Sequence, residues 1–162
     1  RVDVETARDM EEAVMAALPA DLAVMVAAVA DWRVDPAPAK RKKGEGAPTL
    51  ALVENPDILA RLAAPGPHRP ARVVGFAAET QDLLAHARAK LARKGCDMIV
   101  ANDVTQAGAG FGSDNNAVVI LTRGGRQREL GLMSKRKLAD ELLTEVRNLR
   151  ADCHPSPVVP VG

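Results

Sequence analysis

The chain has 162 residues, 47% of them hydrophobic, which is enough for one domain with one buried core. Its 22 basic and 21 acidic residues nearly cancel, which argues against a protein that holds nucleic acid on a broad basic surface. No apolar run approaches the ~20 residues that a membrane helix needs, so we expect a soluble, cytoplasmic protein without membrane contact.

The cysteine and histidine spacings indicate no metal centre. Cys96 and Cys153 lie far apart without a CxxC pattern, and His68, His86 and His154 lack the spacing of metal ligands. We therefore expect neither a structural zinc nor a disulfide, as is typical of a reducing compartment.

The first elements predict a parallel βαβ unit. Residues 2–4 have the pattern of a strand tail, Thr6 is suited to cap a helix that ends at Pro19, and residues 22–30 form an apolar run typical of a buried strand. Because the chain starts at Arg1 rather than Met, and directly in strand-like sequence, we expect a fragment of a longer protein.

The apolar run ends at an acid that is followed by a cluster of cations. In open α/β sheets ligands bind beyond the carboxyl ends of strands, which predicts that Asp31 lies beside a ligand. Pro36 and Pro38 disfavour helix before the KRKK run at residues 40–43, so the segment is interpreted as a basic flap over a phosphorylated ligand. A loop-capping aspartate and a solvated charged loop are the alternatives.

The segment after the flap predicts a short strand and then a helix. Residues 49–53 are β-like, Asn55 is suited to cap the helix, Pro56 to its first position and Asp57 to its first turn. Helix initiation explains these residues fully, although a helix N-terminus also binds polar ligand groups.

Two further ligand contacts are predicted in the next strand and helix. Residues 71–80 form a strand that contains Phe76, and in a chain so poor in aromatic residues this ring suits the wall against which a planar base rests. Residues 81–94 form a helix in which Lys90 and Lys94 share one face. Simple core packing and a generally basic helix are the alternatives.

The last third of the chain predicts a strand, a hairpin and a helix. Residues 96–101 form a strand that ends at Asn102 and Asp103, residues 117–122 and 127–132 flank a paired-glycine turn, and Ser134 caps a helix to Leu149. The fold class is then α/β, a three-layer Rossmann-like arrangement with a mainly parallel sheet flanked by helices and a C-terminal β-hairpin. We expect one domain at residues 1–150 and a disordered tail at residues 151–162.

Seven motifs occur in an order that resembles a known family. They are AVADWR, the lysine of PAKRKK, NPDIL, GFAAET, HARAKLARKGCD, ANDV and GFGSDNN, and they cover residues 24–143. In this order they resemble phosphopantothenoylcysteine synthetase, also called phosphopantothenate–cysteine ligase. In many bacteria that enzyme is the C-terminal half of a bifunctional coenzyme A biosynthesis protein.

The resemblance implies an activity and a set of site residues. CTP, with Mg²⁺ or Mn²⁺, would activate phosphopantothenate as an acyl-cytidylate, and the amine of cysteine would then displace CMP. Lys40 falls on the flap lysine that stabilises the activated intermediate. The residues that fall on nucleotide-binding positions are Asp31, Lys40, Asn55, Pro56, Asp57, Ile58, Phe76, Lys90 and Lys94.

The resemblance also implies partners and an omission. It implies a homodimer, for which we predict contact through the hairpin of residues 117–132, and fusion to a flavin-dependent decarboxylase domain. The family's glycine-rich phosphate-binding turn should precede Arg1, so we expect the chain to bind nucleotide but to ligate poorly.

Two other functions remain open from the residues alone. Alternating strands and helices also suit a Rossmann-like nicotinamide-dependent oxidoreductase, although no GxGxxG occurs at a strand-to-helix turn. The KRKK and RGGR segments suit a nucleic-acid-binding module, although few aromatic residues are present to stack on bases.

Overall fold

A computed structural model describes residues 1–34, 50–79, 82–103, 108 and 112–149. Lys40 and the predicted tail lie outside these ranges. The helices are α1 (Ala7–Ala16), α2 (Ile58–Ala63), α3 (Leu83–Lys94) and α4 (Lys135–Asn148). The strands are β1 (Leu22–Met25), β2 (Trp32–Val34), β3 (Leu52–Glu54), β4 (Arg72–Glu79), β5 (Met98–Asp103), β6 (Asn115–Thr122) and β7 (Gln127–Ser134). None of the helices in the described ranges has the length and apolar character needed to span a bilayer.

The central sheet combines a parallel half and an antiparallel half. Its order is β1-β4-β5-β6-β7, in which β1, β4 and β5 run parallel while β6 and β7 return as an antiparallel hairpin. Val118 of β6 pairs with Asn102 of β5, so β6 begins at the edge where β5 ends. The Rossmann-like fold class and its C-terminal hairpin are confirmed.

Helices cover both faces of this sheet. Successive residues of a strand point to opposite faces; accordingly Val73 and Ile99 pack with α1, α2 and α3, whereas Val74 and Met98 pack with α4. The interior is built from aliphatic side chains, as the shortage of aromatic residues requires. The predicted three layers are therefore present.

Local signals placed several element ends correctly. Thr6 and Asp9 form a reciprocal capping box at the start of α1, with N–H to oxygen distances of 3.2 and 2.9 Å. Gly95 adopts the left-handed conformation that ends α3, with φ of 68°. The Ser134 hydroxyl accepts the Lys137 N–H at 3.3 Å and caps α4.

Three sequence-based expectations were wrong in detail. Residues 2–4 lie outside any strand among the described residues, and the strand expected over residues 22–30 ends at Met25. Asn55 does not cap α2; Asp57 does, which leaves Pro56 before the helix rather than at its first position. The antiparallel pairing of β2 with β3, a two-stranded ribbon that frames the segment of residues 35–49, was also missed.

Gly75 allows α2 to pack closely on β4. A Cβ atom at this position would lie 2.6 Å from Leu59 Cδ2 and 2.9 Å from Ile99 Cδ1. Because both neighbours are core side chains, we expect Gly75→Ala to lower the free energy of unfolding by about 1–3 kcal/mol through overpacking. Urea unfolding followed by circular dichroism measures this change.

Gly131 provides the matched control for that substitution. It also lies in a strand, but a Cβ there would meet nothing within 4 Å. Gly131→Ala should therefore leave the stability nearly unchanged. Equal losses in the two variants would show that crowding against Leu59 and Ile99 does not set the cost.

Candidate functional site

The loop after β1 is held in place by one asparagine. Residues 26–30 are apolar but leave the sheet, and the Asn55 side-chain amide donates a hydrogen bond to the Ala30 carbonyl at 2.9 Å. The Asn55 backbone N–H donates to the Asp31 carbonyl at 2.8 Å. Asn55 therefore fixes the loop that carries Asp31. Its Oδ1 atom, which a cap would use, lies 3.4 Å from Arg33 Nη1 and accepts a hydrogen bond from it instead.

Asp57 joins the start of α2 to the end of α3. Its Oδ1 accepts the Ala60 N–H at 3.1 Å, and its Oδ2 accepts a hydrogen bond from the Lys94 ammonium group. Burial by itself raises the pKa of the Asp57 carboxyl. The two hydrogen bonds and the positive charges of Lys94 and Arg93 have the opposite effect and are stronger, so the pKa lies below its ordinary value. Asp57 is therefore a carboxylate at neutral pH and compensates one cation of the site.

The two lysines of α3 occupy the same face of the helix, as their spacing predicts. Lys90 Nζ donates to the Phe76 carbonyl at 2.9 Å, and only 15% of the Lys94 side chain is exposed. Both line the cavity described next, whereas Arg93 does not. The lysines therefore differ from the other cations of a generally basic helix.

One cavity of about 720 Å³ brings together the predicted residues that the structure describes. It opens beyond the carboxyl ends of β1, β4 and β5, where a ligand of an α/β sheet is expected. The predicted residues on its walls are Asp31, Asn55, Pro56, Asp57, Ile58, Phe76, Lys90 and Lys94. Lys40 falls outside the described residues, so its position relative to the cavity stays a prediction.

Three polar residues of the same cavity were not among the predicted contacts. Asn102 from β5, Asn116 from β6 and Lys135 from α4 line it on the side of the hairpin. The Asn102 Oδ1 atom is buried and accepts no hydrogen bond from the described residues. The sequence offered a signal for Asn102, which ends a strand, and for Asn116, which ends the GFGSDNN motif. It offered none for Lys135, which reaches the site because β6 and β7 reverse direction beside β5.

The cavity combines an apolar part with a cationic part. The apolar loop of residues 26–30 and the Phe76 side chain provide surface for a planar ring, and Lys90, Lys94 and Lys135 provide charge for anionic groups. Within the described ranges, no group of three or more His, Cys, Asp or Glu side chains could hold a metal ion. The arrangement suits a nucleotide or another phosphorylated molecule with a ring.

The chain matches the model of a protein family over the whole range that the structure describes. That model is the DNA/pantothenate metabolism flavoprotein C-terminal domain, and it matches residues 1–149. The chain belongs to this family. The match includes every described residue on the cavity wall.

Curated relatives share this part of their sequence with the chain. It is 45% identical over 151 residues to the coenzyme A biosynthesis bifunctional protein CoaBC of Bacillus subtilis, covering 91% of the chain and 36% of the relative. It is 45% identical to the CoaBC of Escherichia coli K12, covering 90% of the chain and 37% of the relative. The chain thus spans well under half the length of these curated relatives.

Solved structures support the fold. A crystal structure of the C-terminal domain of a CoaBC protein has a TM-score of 0.67 and 35% identity, and covers 91% of this chain and 66% of that one. The DNA/pantothenate metabolism flavoprotein from Streptococcus pneumoniae has a TM-score of 0.70 at 18% identity, covers 92% of this chain and 72% of that one, and supports the fold alone.

Proposed function

We propose that the chain forms the nucleotide-binding part of a CTP-dependent phosphopantothenate–cysteine ligase that acts in coenzyme A biosynthesis in the cytoplasm. The observation that carries the proposal is the convergence of Asp31, residues 55–58, Phe76, Lys90 and Lys94 on one cavity. The motif resemblance assigns these same residues to the nucleotide. The relatives' membership of coenzyme A biosynthesis supports the pathway.

The proposed reaction needs two substitutions because a carboxylate is unreactive toward amines. A phosphopantothenate carboxylate oxygen first attacks the α-phosphorus of CTP, and the bond to the β-phosphate breaks with loss of pyrophosphate. The cysteine amine, having lost its proton, then attacks the acyl carbon, and the carbon–oxygen bond to CMP breaks. Negative charge grows on phosphate oxygens in the first step, which cationic side chains stabilise.

The cavity residues have separate parts in this scheme. Phe76 and the apolar loop of residues 26–30 hold the cytosine ring, Lys90 and Lys94 hold the phosphates, and Asp57 keeps Lys94 in position. Mg²⁺ or Mn²⁺ would be bound mainly through CTP phosphates, with the Asp31 carboxylate or the Asn102 amide oxygen as protein ligand, and would supply further charge compensation.

Nucleotide choice tests the proposal directly. Isothermal titration of the chain with CTP, ATP and NADH in the presence of Mg²⁺ should show CTP as the tightest ligand. Equal affinity for CTP and ATP, or no binding of either, would count against the ligase. Preferential binding of NADH would favour the nicotinamide-dependent oxidoreductase instead.

Removing one cavity lysine should weaken nucleotide binding. We expect Lys94→Ala, and separately Lys90→Ala, to raise the Kd for CTP about 10–100-fold, because each loses a charged hydrogen bond to phosphate. Calorimetry measures the Kd. The matched control is Arg93→Ala, an exposed cation on the same helix outside the cavity, which should change the Kd less than about threefold. Similar losses in all three variants would indicate a general charge effect.

The homodimer and the flavin-dependent decarboxylase fusion that the resemblance implies are part of the same proposal. β6 lies inside the sheet between β5 and β7, so of the two hairpin strands only β7 has an edge that no described strand pairs with.

A further inference from the structure

A second cavity lies at the opposite edge of the sheet. It lies beside the C-terminal ends of α3 and β6 and the N-terminal end of β5. Gly95, Thr122 and Gly125 of the hairpin turn are among its lining residues. Its volume is about 600 Å³, within the ~300–1,000 Å³ that is typical of small-molecule sites. None of the residues that line it belongs to the nucleotide cavity.

The second cavity combines an apolar surface with arginine side chains. Its apolar wall comes from α2 and the residues after it, from α3 and from β6, through Ala63, Pro65, Leu91, Ala92 and Leu121. Four arginines lie around this wall: Arg69, Arg88, Arg123 and Arg126. The surface therefore offers both apolar contact and guanidinium donors to a single ligand.

Two of the four guanidinium groups lie close to a carboxylate. Arg69 lies 2.9 Å from the Asp97 carboxylate, and Arg126 lies 3.2 Å from that of Glu145. Their charges are compensated within the protein.

The other two arginines have mainly neutral partners. Arg88, which is exposed, donates to the Gln127 amide oxygen at 2.9 Å. Arg123 donates through Nη2 to the carbonyls of Gly95 and Cys96, and lies 3.6 Å from Asp97, which already binds Arg69. Positive charge therefore exceeds negative charge at the rim of the cavity.

We propose that this cavity binds a small organic anion in which a phosphate or carboxylate group is attached to an apolar chain. The planar guanidinium groups of Arg88 and Arg123 match the oxygens of such an anion. The wall around Leu91 and Leu121 accommodates the chain and removes its apolar surface from water. The site is separate from the nucleotide cavity, and its existence does not depend on the ligase activity.

Hexyl phosphate is a suitable probe for the intact chain. Two-dimensional ¹H–¹⁵N NMR should show shifts at Gly95, Gly125 and Leu91, and calorimetry should give one site per chain. Inorganic phosphate lacks the apolar chain and hexanol lacks the anionic group. Each should therefore bind at least about tenfold more weakly than hexyl phosphate. Saturating CTP should not displace the probe.

Substitution of an exposed arginine locates the site without unfolding the protein. Arg88→Gln should raise the Kd for hexyl phosphate about tenfold through loss of a charged hydrogen bond. The control Arg147→Gln, which alters an exposed arginine of α4 away from both cavities, should not change it. Displacement by CTP, an unchanged Kd in Arg88→Gln, or equal binding of inorganic phosphate would each overturn the proposal.

Discussion

Replacing Lys40 by alanine is expected to lower ligation turnover by about 10²–10³-fold while changing the Kd for CTP little. The resemblance assigns Lys40 to the activated intermediate, and a cation that acts on charge developing in a transition state affects kcat more than ground-state binding. The segment that contains it joins β2 to β3, and these strands lead from Asp31 and back to Asn55 on the cavity wall. The described residues on either side of this segment therefore lead to the cavity wall.

The neighbouring cations provide the control for Lys40. Lys43 belongs to the same basic run but has no position in the family motif, so Lys43→Ala should leave turnover nearly unchanged. Steady-state kinetics of the full-length protein with saturating CTP, phosphopantothenate and cysteine, together with calorimetric CTP binding, separate the two effects. A large loss of CTP affinity with normal turnover at saturation would contradict the assigned role.

Replacing Arg69 by methionine is expected to lower the free energy of unfolding by about 3–5 kcal/mol. Only 9% of the Arg69 side chain is exposed; Nε donates to the Ala63 carbonyl and Nη1 to the Pro70 carbonyl, at 2.9 and 2.8 Å. Its Nη2 binds Asp97, which also accepts the Val73 N–H at 2.7 Å. Methionine would leave a partly buried carboxylate and two carbonyls without these donors.

Arg126→Met serves as the control for Arg69→Met in the same part of the sheet. Arg126 is 56% exposed, and its partner Glu145 keeps Arg128 at 2.6 Å, so the loss should stay below about 1 kcal/mol. Chemical unfolding of both variants, with a double-mutant cycle that adds Asp97→Asn, measures the coupling. Additive effects of Arg69→Met and Asp97→Asn would show that the ion pair itself contributes little.

The parts of the fold that the sequence predicted well depend on neighbouring residues. Capping by Thr6, the left-handed Gly95 and the hairpin turn are each encoded within a few positions, and each was correct. The end of β1 was missed because apolar residues continue past Met25, whereas the chain leaves the sheet there although its partner β4 continues to Glu79. The cap of α2 was misassigned because both Asn55 and Asp57 suit that role, and the long-range bonds of Asn55 decide between them.

In the cavity, too, the residues whose place depends on neighbouring sequence were predicted, and those whose place depends on distant strand pairing were not. Lys90 and Lys94 share a face by helical spacing alone, so their convergence was predictable. The place of Asn116 and Lys135 in the cavity was not, because it depends on the antiparallel pairing of β6 with β5 and of β7 with β6. Without knowledge of that pairing, the GFGSDNN motif marks Asn116 only as part of the family pattern and does not show which residues it faces.

The ribbon of β2 and β3 has a consequence for how such proteins can vary. Val34 pairs with Leu52, and the Asn55 N–H donates a hydrogen bond to the Asp31 carbonyl. These contacts hold the two ends of the ribbon together next to the cavity wall. An insertion or deletion between Val34 and Leu52 should therefore not displace Asp31 or Asn55. The length of that segment, and its composition apart from Lys40, can therefore vary while the surrounding pocket keeps its shape.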